Sequence, residues 1–250
     1  LQDAVAVVVA LAMVCRFIGP LQDVANHVEI LRGAHAQLQE IERILAATPL
    51  PEPDSPLQPV DGGIDLQGVS LRYNPGGPAV LQNVNLSLPA GSMTAVVGAS
   101  GSGKTSLMRL IARFFDTTQG SVRIGGVDVR KMARACLTDT VSQVLQDTWL
   151  FQGSIADNIR IGKPDASDAE VLQAAHMAGL TNVIDRLPEG LDTPVGEGGV
   201  RLSGGERQRV TIARALIKQA PVLLVDEATA ALDAENQAVI AHTLHSLHGR

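Results

Sequence analysis

A glycine-rich stretch followed by a lysine and a threonine contains the residue types that bind phosphate. The stretch GASGSGKT (residues 98–105) has the spacing of a phosphate-binding loop (P-loop), with apolar Ala95 to Val97 before it and a helical pattern after it. Glycines let the backbone curl so that successive N–H groups point at phosphate oxygens. The Lys104 ammonium supplies charge for the outer phosphates, and the Thr105 hydroxyl can ligate Mg²⁺. The stretch therefore predicts a strand, a nucleotide-binding loop and a helix. The residues expected to contact the nucleotide here are Gly98, Ser100, Gly101, Ser102, Gly103, Lys104, Thr105 and Ser106.

A second stretch, LSGGERQR (residues 202–209), combines a helix-start signal with two weak helix formers. Ser203 followed three residues later by Glu206 is a capping box. Gly204 and Gly205 then fall in the first turn, where each costs ~1 kcal/mol relative to alanine. A bare backbone at a helix N-terminus is what an anion needs in order to approach closely. The stretch predicts a second anion-binding helix start.

Two adjacent acids follow an apolar run in APVLLVDEATAALD. The run Val222 to Val225 predicts a buried strand that ends at Asp226, whose carboxylate can hold the Mg²⁺ shell. Glu227 beside it is placed to polarise an attacking water as general base. Such a pair is elsewhere usually a solvated turn, but the P-loop upstream favours the catalytic interpretation. No Asn-Lys-x-Asp motif occurs, which disfavours a guanine-specific GTPase.

Together these motifs resemble those of ATP-binding cassette (ABC) proteins. LSGGERQR resembles the signature motif, and it follows the P-loop and precedes VLLVDE at the spacing typical of that family. The resemblance implies an α/β P-loop NTPase with a RecA-like core, an antiparallel β subdomain and a helical signature subdomain. It implies ATP and Mg²⁺ as ligands, and ATP hydrolysis as the activity. It also implies that one ATP is bound between two such domains from different subunits. The signature residues would then contact the partner's ATP in trans: Ser203, Gly204, Gly205 and Glu206.

Further residues take their expected roles from the same resemblance. VSQVLQDTWLF resembles the Q-loop, which places Gln146 near the metal and the attacking water, although a lone glutamine is elsewhere a surface residue. Tyr73, the only tyrosine, lies where the family stacks an aromatic ring on adenine, and the alternative is a strand tyrosine that packs on the core. AALD (residues 230–233) resembles the D-loop, with alanine where serine is usual. The expected catalytic residues are Glu227, Lys104 and Gln146, and the expected metal ligands are Thr105, Gln146 and Asp226.

The N-terminal part has a different pattern. The apolar run from Ala4 to Cys15 is short of the ~20 residues of a membrane-spanning helix and by itself favours a buried core helix. From Leu21 to Leu45 apolar residues recur at three- and four-residue steps, which predicts one long two-faced helix. Because the cassette motifs follow in the same chain, the resemblance implies that residues 1–47 are the end of a last transmembrane helix and its cytoplasmic extension. Five prolines predict an extended linker over residues 48–61, and residues 62–250 form the expected nucleotide-binding domain.

Two motifs resemble one branch of the family, the exporter fold. DTPVGEGG (residues 192–199) resembles the segment before the signature in exporter-type cassettes, where Glu197 would contact transmembrane coupling helices; the alternative is a polar turn. RFIGPL is similar to a step in siderophore-uptake transporters that share this fold. The resemblance implies a half-transporter in the cell membrane with its nucleotide-binding domain in the cytoplasm. Its partners would be a second nucleotide-binding domain, identical or different, and the transmembrane coupling helices.

Other function classes are disfavoured or stay open. A net charge of −6 and the absence of a Lys/Arg run give no indication of a nucleic-acid partner. A soluble cassette ATPase acting on DNA or ribosomes would have basic patches and no apolar N-terminal segment, so it is disfavoured but stays the alternative. A regulatory module that binds nucleotide without hydrolysis stays possible. The expected switch histidine would follow a strand beyond AHTLHSLHGR, so we expect a C-terminal truncation that impairs hydrolysis by this chain. His242, His245 and His248 are expected on a helix surface.

Overall fold

The computed structural model describes residues 2–46 and 48–226, together with residues 237, 238, 240, 241, 243 and 245. The chain divides into two compact units, residues 1–50 and 51–250. The first unit is one continuous helix, α1 (Gln2–Leu45), which confirms the long helix that the periodicity predicts. Among the described residues, the part of α1 from Ala4 to Leu45 is long and apolar enough to cross a membrane.

The second unit alternates strands and helices, as the α/β prediction requires. Its described strands are β1 (Ile64–Leu71), β2 (Leu81–Leu88), β3 (Gln119–Ile124), β4 (Val127–Asp128), β5 (Val141–Val144) and β6 (Val222–Val225). Its described helices are α2 (Lys104–Ile111), α3 (Arg134–Thr140), α4 (Ile155–Arg160), α5 (Asp168–Met177), α6 (Thr181–Arg186) and α7 (Gly204–Ile217). Short 3₁₀ turns cover Val129–Lys131, Gly190–Asp192 and Glu197–Gly199.

An antiparallel sheet supports the helix that follows the P-loop. Its strand order is β2-β1-β3-β4, and β1 pairs with both neighbours. Every other side chain of β1 faces the core at most positions, as expected for a strand that is covered on one face. Leu66 and Val122 of this sheet share one apolar cluster with Leu110 of α2. The sheet thereby fixes the position of α2 and of the loop at its start.

Two parallel strands, β5 and β6, precede the predicted site residues Gln146 and Asp226. β5 and β6 run in register from Val141 opposite Val222 to Val144 opposite Val225. They contact a second apolar cluster that holds helices α4 to α7 together and includes Ile155, Leu180 and Val210, each fully buried. Helices α4 to α7, which pack around this cluster, form the helical subdomain that contains the LSGGERQR stretch.

The strand predicted just before the P-loop is not part of either sheet. Residues 92–99 have no regular secondary structure, and the side chains of Met93 and Val97 are 59% and 88% exposed. The prediction was wrong on this point because a strand needs a paired neighbour, and none lies beside these residues in the described part of the chain. Apolar composition alone does not supply that neighbour.

The proline-rich linker is fastened to the second unit for most of its length. The Leu57 amide donates to the Lys131 carbonyl at 2.8 Å, and the Val60 amide donates to the Gly125 carbonyl at 3.2 Å. The boundary between the compact units falls between residues 50 and 51, inside the predicted linker. Residues 51–61 therefore lie against the domain that they precede.

Candidate functional site

The P-loop ends in a turn that requires glycine. Gly103 caps α2 with a φ of +91°, and a Cβ on it would lie 2.8 Å from Leu81 Cδ2. Lys104 Nζ donates to the Gly98 and Ala99 carbonyls, both at 3.0 Å. The loop is exposed from Gly98 to Ser102, and the ammonium is held over it. The backbone and the charge that phosphate binding needs are thus in one place.

Side chains of the first turn of α2 connect the P-loop to Tyr73. Ser106 is buried, and its hydroxyl lies 2.8 Å from the Tyr73 hydroxyl at hydrogen-bond distance. The Tyr73 ring also packs edge-on against Phe115 with a centroid distance of 5.0 Å. Because the ring stays 40% exposed beside the P-loop helix, the predicted stacking on adenine has a surface available to it. Thr105 is half-buried in the same turn.

Two predicted site residues follow the carboxyl ends of the paired parallel strands. The Asp226 amide, just after β6, donates to the Val144 carbonyl at the end of β5 at 3.0 Å. Gln146 follows Val144 by two residues, so its side chain and the buried Asp226 lie beyond neighbouring strand ends. Glu227 and the predicted D-loop lie outside the described residues, as do His242 and His248; His245 is helical and exposed.

The predicted ligands for Mg²⁺ supply oxygen atoms from different structural elements. Among the residues that the structure describes, there is no group of three or more His, Cys, Asp or Glu that could hold a metal. The Thr105 hydroxyl, the Asp226 carboxylate and the Gln146 amide are hard oxygen donors of the type that Mg²⁺ takes alongside phosphate oxygens and water. The residues fit a metal that arrives with a nucleotide.

The capping box predicted at Ser203 is confirmed. Ser203 is the N-cap of α7, its hydroxyl accepts from the Glu206 amide at 3.3 Å, and its own amide donates to Glu206 Oε2 at 2.7 Å. Gly204 has no positive φ, and a Cβ on it would meet only the Arg207 guanidinium at 3.9 Å. Neither backbone conformation nor packing within this chain therefore demands glycine at position 204.

Glu206 is committed to contacts within the chain. Its second carboxylate oxygen pairs with the guanidinium of Arg186 on α6, and only 11% of its side chain is exposed. Burial raises the pKa of Glu206, but the hydrogen bonds from Ser203 and the charge of Arg186 outweigh it, so the pKa lies below its ordinary value. A contact of this carboxylate with nucleotide stays a prediction.

The Glu206 contacts predict a pH-dependent contribution to stability. Because the folded-state pKa is depressed, the ionised carboxylate stabilises the fold above the unfolded value of 4.5, and this stabilisation is lost as the pH falls through the folded pKa. Glu206→Gln should lower the free energy of unfolding by about 1 kcal/mol at neutral pH and by much less in acid. Urea titrations in detergent, followed by the fluorescence of Trp149, measure both values. The exposed Glu189→Gln is the control, and a deficit in Glu206→Gln that is equal at both pH values would contradict the assignment.

A buried polar cluster that the sequence did not reveal joins α7 to the segment after β5. Arg214 of α7 donates to the Asn158 carbonyl at 2.9 Å and to Asn158 Oδ1 at 2.8 Å, and its guanidinium lies 5.7 Å from the Phe151 ring centre. Asn158 is 1% exposed and also bonds both backbone groups of Phe151. Burial lowers the pKa of Arg214. The cluster fixes the Q-loop segment on the helix that begins at Ser203, and no local pattern marks contacts across 56 residues.

The loops beside this cluster expose an apolar surface. Trp149 and Phe151 are 58% and 56% exposed, and Leu145 and Val200 are exposed nearby in sequence. A Cβ on Gly198 would lie 3.3 Å from the Trp149 ring, so the turn that contains the exposed Glu197 lies against Trp149. Large exposed aromatic side chains of this kind are typical of an interaction surface.

Comparison with known proteins shows which family this chain resembles over its length. The family described as ABC transporter matches residues 81–230. The chain is 41% identical over 97% of its length to the mycobactin import ATP-binding/permease protein IrtB of Mycolicibacterium thermoresistibile, covering 41% of that protein. It is 42% identical over 77% of its length to a Staphylococcus aureus ATP-binding/permease protein assigned to multidrug export, covering 33% of it.

A solved structure gives the same result. A bacterial Atm1-family ABC exporter with ATP bound matches 87% of this chain with a TM-score of 0.79 and 37% identity, and the match covers 39% of the exporter chain. This chain thus spans about two fifths or less of the length of these relatives. The family match extends over more than half of the chain and includes the P-loop, the signature stretch and the acidic pair. The chain belongs to the ABC transporter family.

Proposed function

We propose that this chain is the ATP-binding and ATP-hydrolysing part of a membrane transporter, in which closure of two nucleotide-binding domains on ATP drives movement of transmembrane helices. The P-loop binds the phosphates through the backbone of residues 98–103 and through Lys104, and Tyr73 stacks on the adenine. Thr105, Gln146 and Asp226 would hold a Mg²⁺ ion, which would supply positive charge to the phosphates when bound. Family membership and the geometry of the P-loop support this assignment.

One observation carries the two-domain form of the proposal. Gly204 sits at a solvent-facing helix start where an alanine would fit and would stabilise the helix. The absence of a side chain is explained when a group from outside the chain must come close to the backbone N–H groups at this end of α7. That group is the terminal phosphate of ATP bound to the partner domain, with the Ser203 hydroxyl as a further donor. The partner is a second copy or a different half-transporter.

Hydrolysis is assigned to the carboxyl edge of β5 and β6. Gln146 orients the attacking water, and Glu227, next to the buried Asp226, takes its proton as general base. Lys104 stabilises the charge that develops on the transferred phosphoryl group. These roles need a closed site, because water exclusion strengthens each interaction.

The exposed surface around Trp149 is assigned to contact with the membrane part. Trp149, Phe151 and Glu197 offer apolar area with a charge at its edge, which suits the end of an amphipathic helix from a transmembrane domain. Arg214 and Asn158 hold this surface on α7, so a movement at the partner's ATP reaches the docked helix. The domain itself faces the cytoplasm, and α1 belongs to the membrane part.

The membrane assignment is tested with a fluorophore at Cys15, which is exposed on α1. The other cysteines are replaced, and the protein is reconstituted into liposomes. Quenchers attached to the lipid acyl chains should then strongly reduce the emission of the fluorophore on Cys15. A fluorophore at Ala34, further along α1, should be quenched much less. Equal, weak quenching at both positions would favour a soluble cassette ATPase.

A further inference from the structure

Arg113, which ends the P-loop helix, has an unusual backbone conformation. Its φ is +53°, and among the described residues only Asn83 and Gln219 are other non-glycine residues with positive φ. Its amide donates to the Leu110 carbonyl at 3.0 Å, so the chain leaves α2 here. Glycine or asparagine would adopt this left-handed conformation at lower cost. An arginine at this position therefore has a reason that lies in its side chain.

The side chain of Arg113 is buried and joins two distant parts of the sequence. Only 6% of it is exposed. Its Nε donates to Asp116 Oδ1 at 2.9 Å, and its terminal nitrogen donates to the Pro51 carbonyl, 62 residues earlier, at 2.7 Å. The guanidinium can make both bonds at once because its donors point in fixed directions. A lysine ammonium at this position has no such fork.

Pro51 is the first residue of the second compact unit. Only residues 46–50 separate it from the end of α1 at Leu45. After Pro51 the linker stays attached through the bonds of Leu57 and Val60 to the domain backbone. A nearby ion pair, Glu52 with Arg134 at 3.1 Å, lies at the surface with both side chains at least half exposed. Among the described residues after α1, the buried bond of Arg113 to Pro51 is thus the first hydrogen bond that ties the chain to the second unit.

The two ends of α2 therefore have different tasks. Lys104 at its start is the phosphate-binding end, and Arg113 after its last turn holds the linker. The helix is short and packed through Leu107, Leu110 and Ile111 on the sheet, so it moves as one rigid element. A shift of its N-terminus on phosphate binding is passed to its C-terminus and to whatever is bonded there.

We propose that Arg113 is a positioning residue that ties the P-loop helix to the linker, so that ATP binding acts on α1 through residues 46–51 as well as through the surface around Trp149. This role rests on the proposed function, since it assumes that α1 responds to ATP. It depends on the continuous chain through residues 46–51 and on the Arg113–Pro51 bond, and it does not depend on any other contact.

The test measures ATP affinity and the response of α1 separately. In the reconstituted complete protein, a spin label is attached to a cysteine that replaces Ala34 on α1. The ratio of its two mobility states is measured with and without a non-hydrolysable ATP analogue. In the parent, the analogue should change this ratio about fivefold or more, the lower range of typical coupling between sites. Arg113→Asn, which suits a positive φ, should keep the ATP affinity within about twofold and reduce the change in ratio to about twofold or less.

Two further variants separate this role from a general loss of fold. Arg134→Asn, which removes the exposed ion pair beside the same linker, should respond like the parent. A short run of glycines inserted after Thr48 leaves Arg113 in place but slackens the path to α1, and it should lose the response as Arg113→Asn does. If Arg113→Asn does not fold, Arg113→Lys takes its place, because it keeps the charge but lacks the fork of donors.

The possible results are distinct. A parent protein whose label ratio does not change with nucleotide overturns the proposed function and this inference with it. A parent that responds, with Arg113→Asn and the glycine insertion responding equally, overturns the inference and leaves the proposed function standing. An Arg113→Asn protein that loses ATP affinity by the same factor as its α1 response also overturns it, because Arg113 would then act at the nucleotide site.

Discussion

In the complete protein, replacing Glu227 by glutamine should lower ATP hydrolysis by about a hundredfold or more while ATP binding is kept, because a positioned general base contributes at least about that factor. Glutamine has nearly the same shape as glutamate but cannot take the proton of the attacking water. ATP that binds is then not consumed, and the closed pair of domains should accumulate. Phosphate release measures the rate, and size-exclusion chromatography in the presence of ATP and Mg²⁺ measures the closed pair.

The matched control for this variant is Glu189→Gln, which changes an exposed carboxylate in the helical subdomain. It should hydrolyse ATP at the parent rate and show no trapped pair. Hydrolysis by Glu227→Gln at the parent rate would show that Glu227 is not the general base. A slow variant that also fails to bind ATP would mean that Glu227 serves the fold around β6 and not the chemistry.

The second large effect concerns the two helix starts. Lys104→Ala should weaken ATP binding roughly a hundredfold, since it removes a charge that lies over the P-loop and would pair with phosphate. Ser203→Arg should leave the ATP affinity of a single domain unchanged, because α7 starts outside that domain's own P-loop. It should nevertheless abolish hydrolysis, because the bulk of the new side chain keeps the partner's phosphate away from the end of α7. Lys163→Ala and Thr181→Arg, both in the helical subdomain, are the matched controls.

Features set by neighbouring residues could be predicted from the sequence. The capping box at Ser203 depends on two residues three positions apart, and the structure has both of its hydrogen bonds. The long helix α1 follows from a period repeated over many turns. The turn before Lys104 follows from the glycine spacing of the P-loop, and Gly103 adopts a φ of +91° there. In each case the determining residues lie close together in the chain.

Features set by distant residues could not be predicted. The apolar run before the P-loop was expected to be a strand, but pairing depends on a neighbour that composition does not reveal. The bond from Arg113 to Pro51 and the cluster of Arg214 with Asn158 join residues more than 50 positions apart. A proline-rich segment indicates a linker, yet its prolines do not show that Arg113 fastens it to the domain.

The capping box also has a consequence for the signature stretch itself. Both carboxylate oxygens of Glu206 are bonded within the chain, one to the helix start and one to Arg186. In the proposed shared site, Ser203 and the two glycines after it are then the residues that face the phosphate. A carboxylate turned towards phosphate would oppose binding, and its commitment inside the chain avoids that repulsion. The division of tasks within four residues explains how an acidic residue can stand at an anion site.

In the proposed arrangement, one ATP is shared between the P-loop of one domain and the signature stretch of the other. The most direct measurement is ATP hydrolysis by a mixed pair in which one partner carries Lys104→Ala, or the matching change in a different companion chain, and the other carries Ser203→Arg. In the shared-site arrangement both changes fall in the same site, and the second site is intact. The mixed pair should therefore hydrolyse ATP at about half the parent rate or, where the two sites depend on each other, at a clearly measurable fraction of it, while pairs that carry one change on both partners are inactive. A mixed pair as inactive as these would mean that each domain uses its own signature stretch, and it would contradict the account.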